Sequence, residues 1–312
     1  MLKVLVIILL VVIIMSYALA AYAVRGKRCS LKETAVIENT DYPEASKFIG
    51  KGEPYLISGF QGYKLHAERI RSEFGDGKHF VIITHGFSST RHGAIKYVPM
   101  YIKRGYDCII YDLRGHGENL YGDSDKMPLR LGRKHACYFS KKESQDLLCV
   151  IKDTKDRYGK DITLGLHGES LGAASTITAL ASKPDVVFAV EDCGFADIIN
   201  VQKVGLKNMH IPAFLVYFAS VAASIVYGYA FTSIKPAEKV KDNEIPLLVI
   251  HGEADDFIVP DNAKRIYAAQ KGYKRIELFP GAGHALSMKT DPVRYEKIVN
   301  EFLDDIKCWS AK

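Results

Sequence analysis

The sequence predicts an α/β domain in which a mostly parallel sheet of eight strands has helices on both faces. From residue 54 onward, apolar segments of strand length alternate with amphipathic segments of helix length, the pattern of a parallel sheet with helical crossovers. The chain has 312 residues, of which 48% are hydrophobic and 25% charged, and it can therefore bury the core of one large domain.

Eight segments have the length and composition of strands. They are residues 54–58, 64–71, 80–84, 106–111, 161–166, 186–191, 246–250 and 274–279. Only a Gly-rich turn, Gly59-Phe-Gln-Gly62, separates the first two. This short connection predicts an antiparallel hairpin that leads into the sheet.

Helices are predicted in the intervals between strands and after the last strand. They lie at about residues 92–104, 140–157, 171–182, 260–271 and 291–306. Ser140 and Glu143 have the spacing of a capping box, in which the side chains satisfy free amides of the first helical turn. Apolar residues recur at helical spacing in the last helix and are expected to face the core. They are Tyr295, Ile298, Val299, Phe302 and Ile306.

The N-terminal segment, residues 1–28, is predicted to be a membrane anchor or a signal segment. Val4 to Val24 is a run of 21 residues without a charge, long enough to cross a hydrocarbon core of about 30 Å as a helix. Small-residue cleavage sites end at Ala20 and Ala23, but the apolar run continues past both. We therefore predict an uncleaved single-pass anchor in the cell membrane, and a secreted protein if the segment is cleaved.

The orientation of the anchored domain stays open. The basic flank Arg25-Gly-Lys27-Arg28 favours a cytoplasmic domain, whereas signal-like segments export the downstream domain, and our preference is the outer face. Residues 29–53 are interpreted as a connecting arm and residues 54–312 as the main domain. Residues 29–312 carry 38 basic and 36 acidic groups, so no nucleic-acid partner is predicted.

About fifty residues between the sixth and seventh strands exceed a short connector, and residues 194–240 are predicted to form a small helical lid. Within this lid insertion, Ile211 to Phe231 is again a run of 21 residues without a charge. A second membrane span there would put two strands of one sheet on opposite sides of the membrane. A lid helix that begins at Pro212, either buried or facing the membrane, is therefore preferred.

Gly168-Glu-Ser170-Leu-Gly172 is a G-x-S-x-G motif between an apolar, β-branched segment and a helix-compatible one. This context places Ser170 on a sharp strand-to-helix turn, where its hydroxyl is exposed at the edge of the sheet. Glycines are needed at both flanking positions because the turn brings the backbones of the strand and the helix close together. The motif predicts a nucleophilic serine.

A serine hydroxyl needs a base to take its proton and a carboxylate to orient that base. Asp255 and Asp256 follow the seventh strand, and His284 follows the eighth between small residues. The chain order serine, aspartate, histidine is the one that a sheet of this kind uses. His284 is the predicted general base, and either aspartate can orient it.

Attack on a carbonyl develops an oxyanion, at which two backbone N–H groups must point. Leu171, directly after the nucleophile, is predicted to supply one of them. Phe87, in the His85-Gly-Phe turn after the third strand, is predicted to supply the other. These two residues form the predicted oxyanion hole.

Other polar residues near these loops are interpreted as structural. Four histidines each precede a glycine: His85, His116, His167 and His251. Their spacing does not match a metal site, so we expect them to pack or hydrogen-bond beneath the rim of the site. Asp112 and Arg114 are assigned to a structural turn, and Glu169 either supports the nucleophile or is solvent-exposed. No metal, cofactor or cysteine-based redox pair is predicted.

A set of motifs carries a family resemblance. They are His85-Gly-Phe, Asp112-Leu-Arg-Gly-His-Gly, Gly168-Glu-Ser-Leu-Gly, the Gly-x-x-Asp of residues 252–255, and Gly283-His284. Together they resemble the α/β-hydrolase superfamily, in its serine-aminopeptidase and monoacylglycerol-lipase-like branch, over roughly residues 54–308. Gly-x-x-Asp followed by Val-Pro also resembles a group of membrane-anchored bacterial hydrolases. The resemblance implies an α/β-hydrolase fold.

The resemblance bears on the choice of the triad acid. Counted from Gly252 the acid is Asp255, but counted back from Val259-Pro260 it is Asp256, because this interval is one residue longer than the usual pattern. We predict Asp255.

The predicted function is hydrolysis of a carboxylic ester through an acyl-Ser170 intermediate. The apolar lid predicts an apolar group in the small-molecule substrate, as in a monoacylglycerol or a thioester. One alternative is a peptidase of the serine-aminopeptidase type, which only the resemblance implies. The other is a membrane-tethered binding protein that has kept the fold without turnover. No oligomeric state is predicted.

Overall fold

The computed structural model describes residues 1–122 and 133–310, and its centre is an eight-stranded sheet. The strands are β1 (Glu53–Ser58), β2 (Lys64–Ile70), β3 (His79–Thr84), β4 (Asp107–Tyr111), β5 (Thr163–Glu169), β6 (Phe188–Asp192), β7 (Leu247–Gly252) and β8 (Lys274–Phe279). Each overlaps one of the strands predicted from the sequence. The predicted fold class is therefore confirmed.

The strands lie in the order β1-β2-β4-β3-β5-β6-β7-β8. The predicted hairpin of β1 and β2 is present, and β2 also pairs antiparallel with β4. All other pairings in the sheet are parallel. Because parallel strands end at the same edge of a sheet, the loops after β3, β5, β7 and β8 all leave from one edge.

Helices surround the sheet. They are α1 (Leu2–Arg25), α2 (Leu31–Asp41), α3 (Pro43–Ser46), α4 (Val98–Lys103), α5 (Glu118–Tyr121), α6 (Glu143–Tyr158), α7 (Leu171–Leu180), α8 (Ile198–Asn208), α9 (Leu215–Tyr227), α10 (Pro236–Lys239), α11 (Asp261–Ala269), α12 (Ser287–Thr290) and α13 (Pro292–Asp305). Short 3₁₀ turns cover Phe60–Gly62, Arg91–Tyr97 and Phe231–Ser233. The interval predicted to be the connecting arm contains α2 and α3, which were not predicted from the sequence.

Two helix starts differ from the predictions. The helix predicted at 92–104 begins as a 3₁₀ turn and becomes α-helical at Val98. The reason is Pro99, whose ring would clash with the carbonyl group four residues earlier if the α-helix extended upstream. The lid helix begins at Leu215 and not at Pro212, because Leu215 and Val216 donate to carbonyls only three residues back, in 3₁₀ fashion.

The predicted capping box of Ser140 and Glu143 is wrong. Helix α6 begins at Glu143, and no side chain caps its first turn. Ser140 has a positive φ of 85°, and the Glu143 carboxylate instead accepts a hydrogen bond of 2.7 Å from the Tyr138 N–H group. The acidic side chain therefore closes the loop before the helix.

Alternate residues of β3 contribute to two separate apolar layers. Phe80 and Ile82 pack with residues of α6, α7 and α11, whereas Val81 and Ile83 pack with residues of α4 and α13. All four side chains are fully buried. Parallel strands covered on both faces have this near-continuous apolar composition. The sheet is therefore a rigid support for the loops at its edge.

Helix α1 packs against α9 of the lid insertion. Ser16, Ala20 and Val24 of α1 are buried, at a spacing of four residues that puts them on one side of the helix. Residues 1–11 are exposed along their whole length. Among the described residues, α1 is the helix that is long and apolar enough to cross a membrane, and α9 with the segment Phe231–Lys239 qualifies only as a pair bent by 93°.

Candidate active site

Ser170 lies at the turn between β5 and α7, as the G-x-S-x-G motif predicts. Its φ of 53° is in the left-handed region, which is strained for a residue with a side chain. A Cβ atom on Gly168 would lie 2.4 Å from the Gly172 carbonyl oxygen, and one on Gly172 would lie 2.1 Å from the Thr84 carbonyl oxygen. The predicted reason for both glycines, close backbone approach, is confirmed.

This crowding gives a prediction about stability. Replacing Gly172 by alanine is expected to reduce the free energy of unfolding by about 2–3 kcal/mol, because either Thr84 or the nucleophile turn must shift. Urea denaturation followed by circular dichroism measures this change.

Gly205 in α8 is the matched control. A Cβ atom there would meet nothing within 4 Å. Gly205→Ala is therefore expected to keep or raise stability by up to about 1 kcal/mol, since alanine favours a helix interior. Equal effects of the two substitutions would contradict the role of backbone crowding.

Three predicted site residues lie in one line of hydrogen bonds. His284 follows β8, and its Nε2 atom is 3.0 Å from the Ser170 Oγ atom. On the other side of the ring, the Nδ1 atom is 2.7 Å from Oδ2 of Asp255, which follows β7. With an ionised carboxylate, Nδ1 carries the proton and Nε2 is free to accept one from the serine hydroxyl.

The Asp255 carboxylate is held by its own loop. Its Oδ1 atom accepts hydrogen bonds from the N–H groups of Phe257, at 3.0 Å, and Ile258, at 2.8 Å. Burial alone would raise the pKa of Asp255, but hydrogen bonds from His251 and His284 outweigh it, so the pKa lies well below its ordinary value. Asp256 is exposed and makes none of these contacts.

His251 is a second imidazole on the same carboxylate. It is fully buried, and its Nε2 atom lies 2.6 Å from the Ile258 carbonyl oxygen and 3.3 Å from Oδ2 of Asp255. Burial would lower the pKa of His251, but the hydrogen bond to Asp255 and the charge of nearby Glu191 raise it. The sequence pattern predicted hydrogen bonding of this histidine beneath the rim but did not identify its partner.

The loop after β3 lies against the nucleophile. A Cβ atom on Gly86 would be 3.3 Å from that of Ser170. The Leu113 N–H group donates to Nε2 of His85, so the proton of this ring is on Nδ1, which donates to the Gly86 carbonyl at 2.7 Å. His116 Nε2 lies 2.5 Å from the Phe87 carbonyl oxygen.

The N–H group of Leu171 is at the first turn of α7, where helices have no internal acceptor for it. Phe87 belongs to the loop after β3, in which His85 contacts the Gly86 carbonyl and His116 contacts the Phe87 carbonyl. Both predicted oxyanion-hole residues line the same cavity as Ser170.

A buried charged pair lies directly behind Ser170. Glu169 forms an ion pair with Lys96 and accepts a hydrogen bond of 2.6 Å from the Tyr97 hydroxyl. Burial would lower the pKa of Lys96, but Glu169, together with nearby Tyr42 and Glu38, raises it above its ordinary value. Glu169 is itself buried, so of its two predicted situations solvent exposure is excluded. No motif in the sequence pointed to Lys96.

The remaining polar residues contact structural partners. The Asp112 carboxylate accepts from the Arg91 backbone N–H and binds the Arg91 side chain, and Arg114 forms a bidentate ion pair with buried Asp146. Within residues 1–122 and 133–310, no group of three potential ligands could hold a metal ion. The six cysteines, all in the described part of the chain, are free thiols.

A cavity of about 610 Å³ opens above Ser170 and His284. Its walls are mostly apolar and include residues from α8, α9 and, unexpectedly, the end of α1. Gly86, Phe87 and Leu171 line it together with the serine. Tyr22, Met209 and Phe257 are exposed lining residues and mark its mouth. The lid insertion therefore covers the serine, and α1 completes the cover.

The sheet order, the helices on both faces and the serine at the β5–α7 turn define a hydrolase of the α/β-hydrolase superfamily, as the motifs predicted. Within that superfamily, residues 95–307 match the model of the prolyl oligopeptidase family. The chain belongs to this family.

The chain is also similar to an uncharacterized bacterial protein and, in its fold, to solved hydrolase structures. The chain is 26% identical over 256 residues to the uncharacterized protein YqkD of Bacillus subtilis, a match that covers 81% of this chain and 79% of that protein. It resembles the fold of the Pyrococcus furiosus esterase Pf2001, with a TM-score of 0.61, 22% identity and coverage of 81% and 92% of the two chains. It also resembles the acylaminoacyl peptidase of Pyrococcus horikoshii, with a TM-score of 0.58, 17% identity and coverage of 84% and 42%.

Proposed function

We propose that this hydrolase cleaves carboxylic esters with an apolar acyl or alkyl group through an acyl-Ser170 intermediate. The observation that carries the proposal is the line of hydrogen bonds from Ser170 through His284 to Asp255, with distances of 3.0 and 2.7 Å. An imidazole in this position can take the serine proton at neutral pH. The reaction needs no cofactor.

The proposed reaction has two half-reactions. The Ser170 Oγ atom attacks the carbonyl carbon as His284 Nε2 takes its proton, and the N–H groups of Phe87 and Leu171 stabilise the oxyanion. The ester C–O bond then breaks, and His284 returns the proton to the leaving alkoxide. Water, deprotonated by the same ring, attacks the acyl-serine and releases the acid. Asp255 orients the ring throughout.

Labelling by a fluorophosphonate probe tests the nucleophile. Folded wild-type protein is expected to react at one serine, and Ser170→Ala is expected to lose the label completely, because the probe bonds only to an activated hydroxyl. Mass spectrometry of the labelled peptide identifies the residue. Ser175→Ala is a matched control, since that hydroxyl is buried in α7 and donates to the Leu171 carbonyl. Folded wild-type protein that does not react would favour the binding-protein alternative.

An ester substrate is preferred to a peptide because the cavity walls are mostly apolar. Two structural neighbours that are named as esterases support this preference, Pf2001 of Pyrococcus furiosus and a thermophilic esterase of Thermogutta terrifontis. The peptidase alternative is supported by the family's name and by the acylaminoacyl peptidase, but the likeness covers only 42% of that peptidase. The apolar lining of the cavity therefore favours the ester.

A panel of substrates separates these alternatives. We expect kcat/KM for p-nitrophenyl esters to rise with acyl length from acetate to octanoate, by up to about 15-fold per two methylenes, because each fully buried CH₂ is worth about 0.8 kcal/mol. Alanine p-nitroanilide is expected to be cleaved far more slowly. Indifference to acyl length would contradict an apolar acyl site, and faster cleavage of the anilide would favour the peptidase.

Helix α1 supports a proposed location at the cell membrane, as a single-pass anchor. Its 24 residues contain Lys3 near one end and Arg25 at the other, with no charge between them. The proposal leaves open which side of the membrane the hydrolase domain occupies. Fractionation of membranes after carbonate washing tests the anchor, and release of the intact chain into the wash would contradict it.

A further inference from the structure

The end of α1 forms a wall of the cavity above Ser170. Leu19 and Ala23 of α1 line it from one side, and Val216 and Ala219 of α9 line it from another. The two helices pack against each other through small residues, including Ala20 and the α9 alanines. A tether would need no such contact with the interior of the site. The helix that is long enough to cross a membrane therefore forms part of the wall of the apolar cavity.

The depth at which α9 lies in a bilayer follows from the length of α1. A helix of 24 residues is about 36 Å long, and a hydrocarbon core is about 30 Å thick. If α1 spans the bilayer, almost its whole length is needed, including Ser16 to Val24, the part that packs against α9. Helix α9 must then lie beside the C-terminal part of α1, within the leaflet that this part of α1 crosses.

The outward face of α9 has the composition that this position requires. The exposed side chains of α9 and of Phe214, the residue before it, are mostly aromatic and aliphatic; those on α9 include Tyr217, Phe218, Val221 and Ile225. No charged residue occurs from Ile211 to Phe231. An exposed apolar face of this kind, continuous with a membrane-length helix, is typical of a surface that contacts lipid.

Basic side chains border this apolar face. Lys203 and Lys207 lie on α8, next to the segment that leads into α9, and Arg25 and Lys27 lie at the end of α1. The Lys203 ammonium group donates to the Tyr217 hydroxyl on α9 at 2.9 Å. Basic residues at the border of an apolar surface are placed to meet the phosphates of lipid headgroups. The basic border and the apolar face of α9 therefore both indicate that this surface contacts a lipid bilayer.

The chain after α1 is bonded to the loop that carries Phe87. The Arg28 side chain is buried, and it donates to the Val24 carbonyl at the end of α1 at 2.7 Å and to the Gly115 carbonyl at 2.6 Å. Its guanidinium carbon lies 5.2 Å from the centre of the Phe87 ring. The Cys29 N–H group donates to the Ser88 carbonyl at 2.9 Å. Helix α1 is thus fixed to the candidate oxyanion loop as well as to the lid.

We propose that the substrate is a long-chain acyl ester lipid, which enters the cavity directly from the leaflet that contains α9 and the C-terminal part of α1. Its acyl chain lies between Leu19 and Ala23 of α1 and Val216 of α9, while the polar part stays near the basic border. The inference rests on the proposed ester hydrolysis at Ser170. It also requires an uncleaved α1, because cleavage after Ala20 or Ala23 would remove Leu19 from the wall.

A pair of substitutions in α1 tests whether this helix forms part of the wall of the substrate cavity. Leu19→Trp fills part of the cavity, whereas Leu9→Trp puts the same side chain on an exposed position of α1. In detergent micelles, we expect Leu19→Trp to lower kcat/KM for p-nitrophenyl palmitate by about tenfold or more relative to p-nitrophenyl butyrate. Leu9→Trp is expected to match the wild type with both esters.

An unchanged ratio of palmitate to butyrate activity in Leu19→Trp would overturn the role of α1 in the site. Butyrate activity serves to separate this inference from the proposed function. If the folded wild type hydrolyses neither ester and does not react with a fluorophosphonate, the proposed function fails. If butyrate is hydrolysed normally but Leu19→Trp has no selective effect, only the inference about α1 fails.

The depth of α9 is tested by quenching of tryptophan fluorescence. Phe218→Trp and Val221→Trp are made in a Trp309→Phe background, and the proteins are reconstituted in phosphatidylcholine–phosphatidylglycerol vesicles with brominated acyl chains. Both reporters are expected to be quenched by more than half. Val293→Trp, on α13 at the opposite face of the sheet, is the control and is expected to keep its fluorescence. Quenching of the α9 reporters no greater than that of the control would overturn the proposal.

Discussion

Replacing His284 by glutamine is expected to lower kcat for p-nitrophenyl butyrate by about 10⁴- to 10⁶-fold. The physical reason is that the ring is the base in the proposed reaction, with Nε2 at 3.0 Å from the Ser170 Oγ atom. A glutamine side chain can donate or accept a hydrogen bond there, but it cannot carry the serine proton to the leaving group. Stopped-flow and steady-state assays of p-nitrophenol release measure the change.

His210 offers a control of the same residue type. It is an exposed histidine on the lid insertion, and it is not part of the line of hydrogen bonds. His210→Gln is expected to stay within about twofold of the wild type, as surface substitutions usually do. A loss of less than tenfold in folded His284→Gln would contradict the proposed base, and the fluorophosphonate reaction would then have another activator.

The fold could be predicted because local patterns and global topology agree at most positions. The strand that leads to Ser170 is apolar and β-branched, and the glycines around that serine are explained by backbone crowding that the structure contains. Helix starts were less predictable. The pattern of Ser140 and Glu143 predicts a capping box, but the Glu143 carboxylate instead accepts a hydrogen bond from the Tyr138 N–H group in the loop before the helix. A competing local hydrogen bond therefore replaced the predicted cap.

Parts of the site could not be predicted because the contacts that define them depend on the folded chain. Lys96 pairs with Glu169 from a different element, and nothing in the residues around Lys96 indicates a buried charge. His251 was visible as a histidine before glycine, but its contact with the Asp255 carboxylate depends on how the loop after β7 folds back. The contribution of α1 to the cavity wall could not be predicted either, because an apolar segment has the same sequence pattern whether it serves as a membrane tether or as a cavity wall. Distance in the sequence hides the contacts of Lys96 and α1, whereas the contact of His251 with Asp255, four residues away, is hidden because it depends on the conformation of the loop.

The two adjacent aspartates differ in their surroundings. Counting along the motif from Gly252 identifies Asp255 as the triad acid, whereas counting back from Val259-Pro260 identifies Asp256. Asp255 is buried and accepts the N–H groups of Phe257 and Ile258, whereas Asp256 is exposed. The two positions should therefore respond very differently to the same substitution.

Asp255→Asn is expected to lower kcat by about 10⁴-fold with little change in fold. The asparagine oxygen can keep both backbone hydrogen bonds that Oδ1 now accepts. Its NH₂ group then faces His284 Nδ1, at the position of Oδ2, and forces the ring into the tautomer that carries its proton on Nε2. That tautomer cannot accept the proton of Ser170. Rates with p-nitrophenyl butyrate, together with circular dichroism spectra, measure both parts of the expectation.

Asp256→Asn is the matched control, because it makes the same chemical change one residue away. We expect its kcat to stay within about twofold of the wild type, since the exposed carboxylate contacts no group of the site. Equal activity of Asp255→Asn and the wild type would refute the choice of acid. A large loss in Asp256→Asn alone would transfer the orienting role to that residue, which would require the loop after β7 to turn its exposed carboxylate inward and to release the two N–H groups that now hold Asp255.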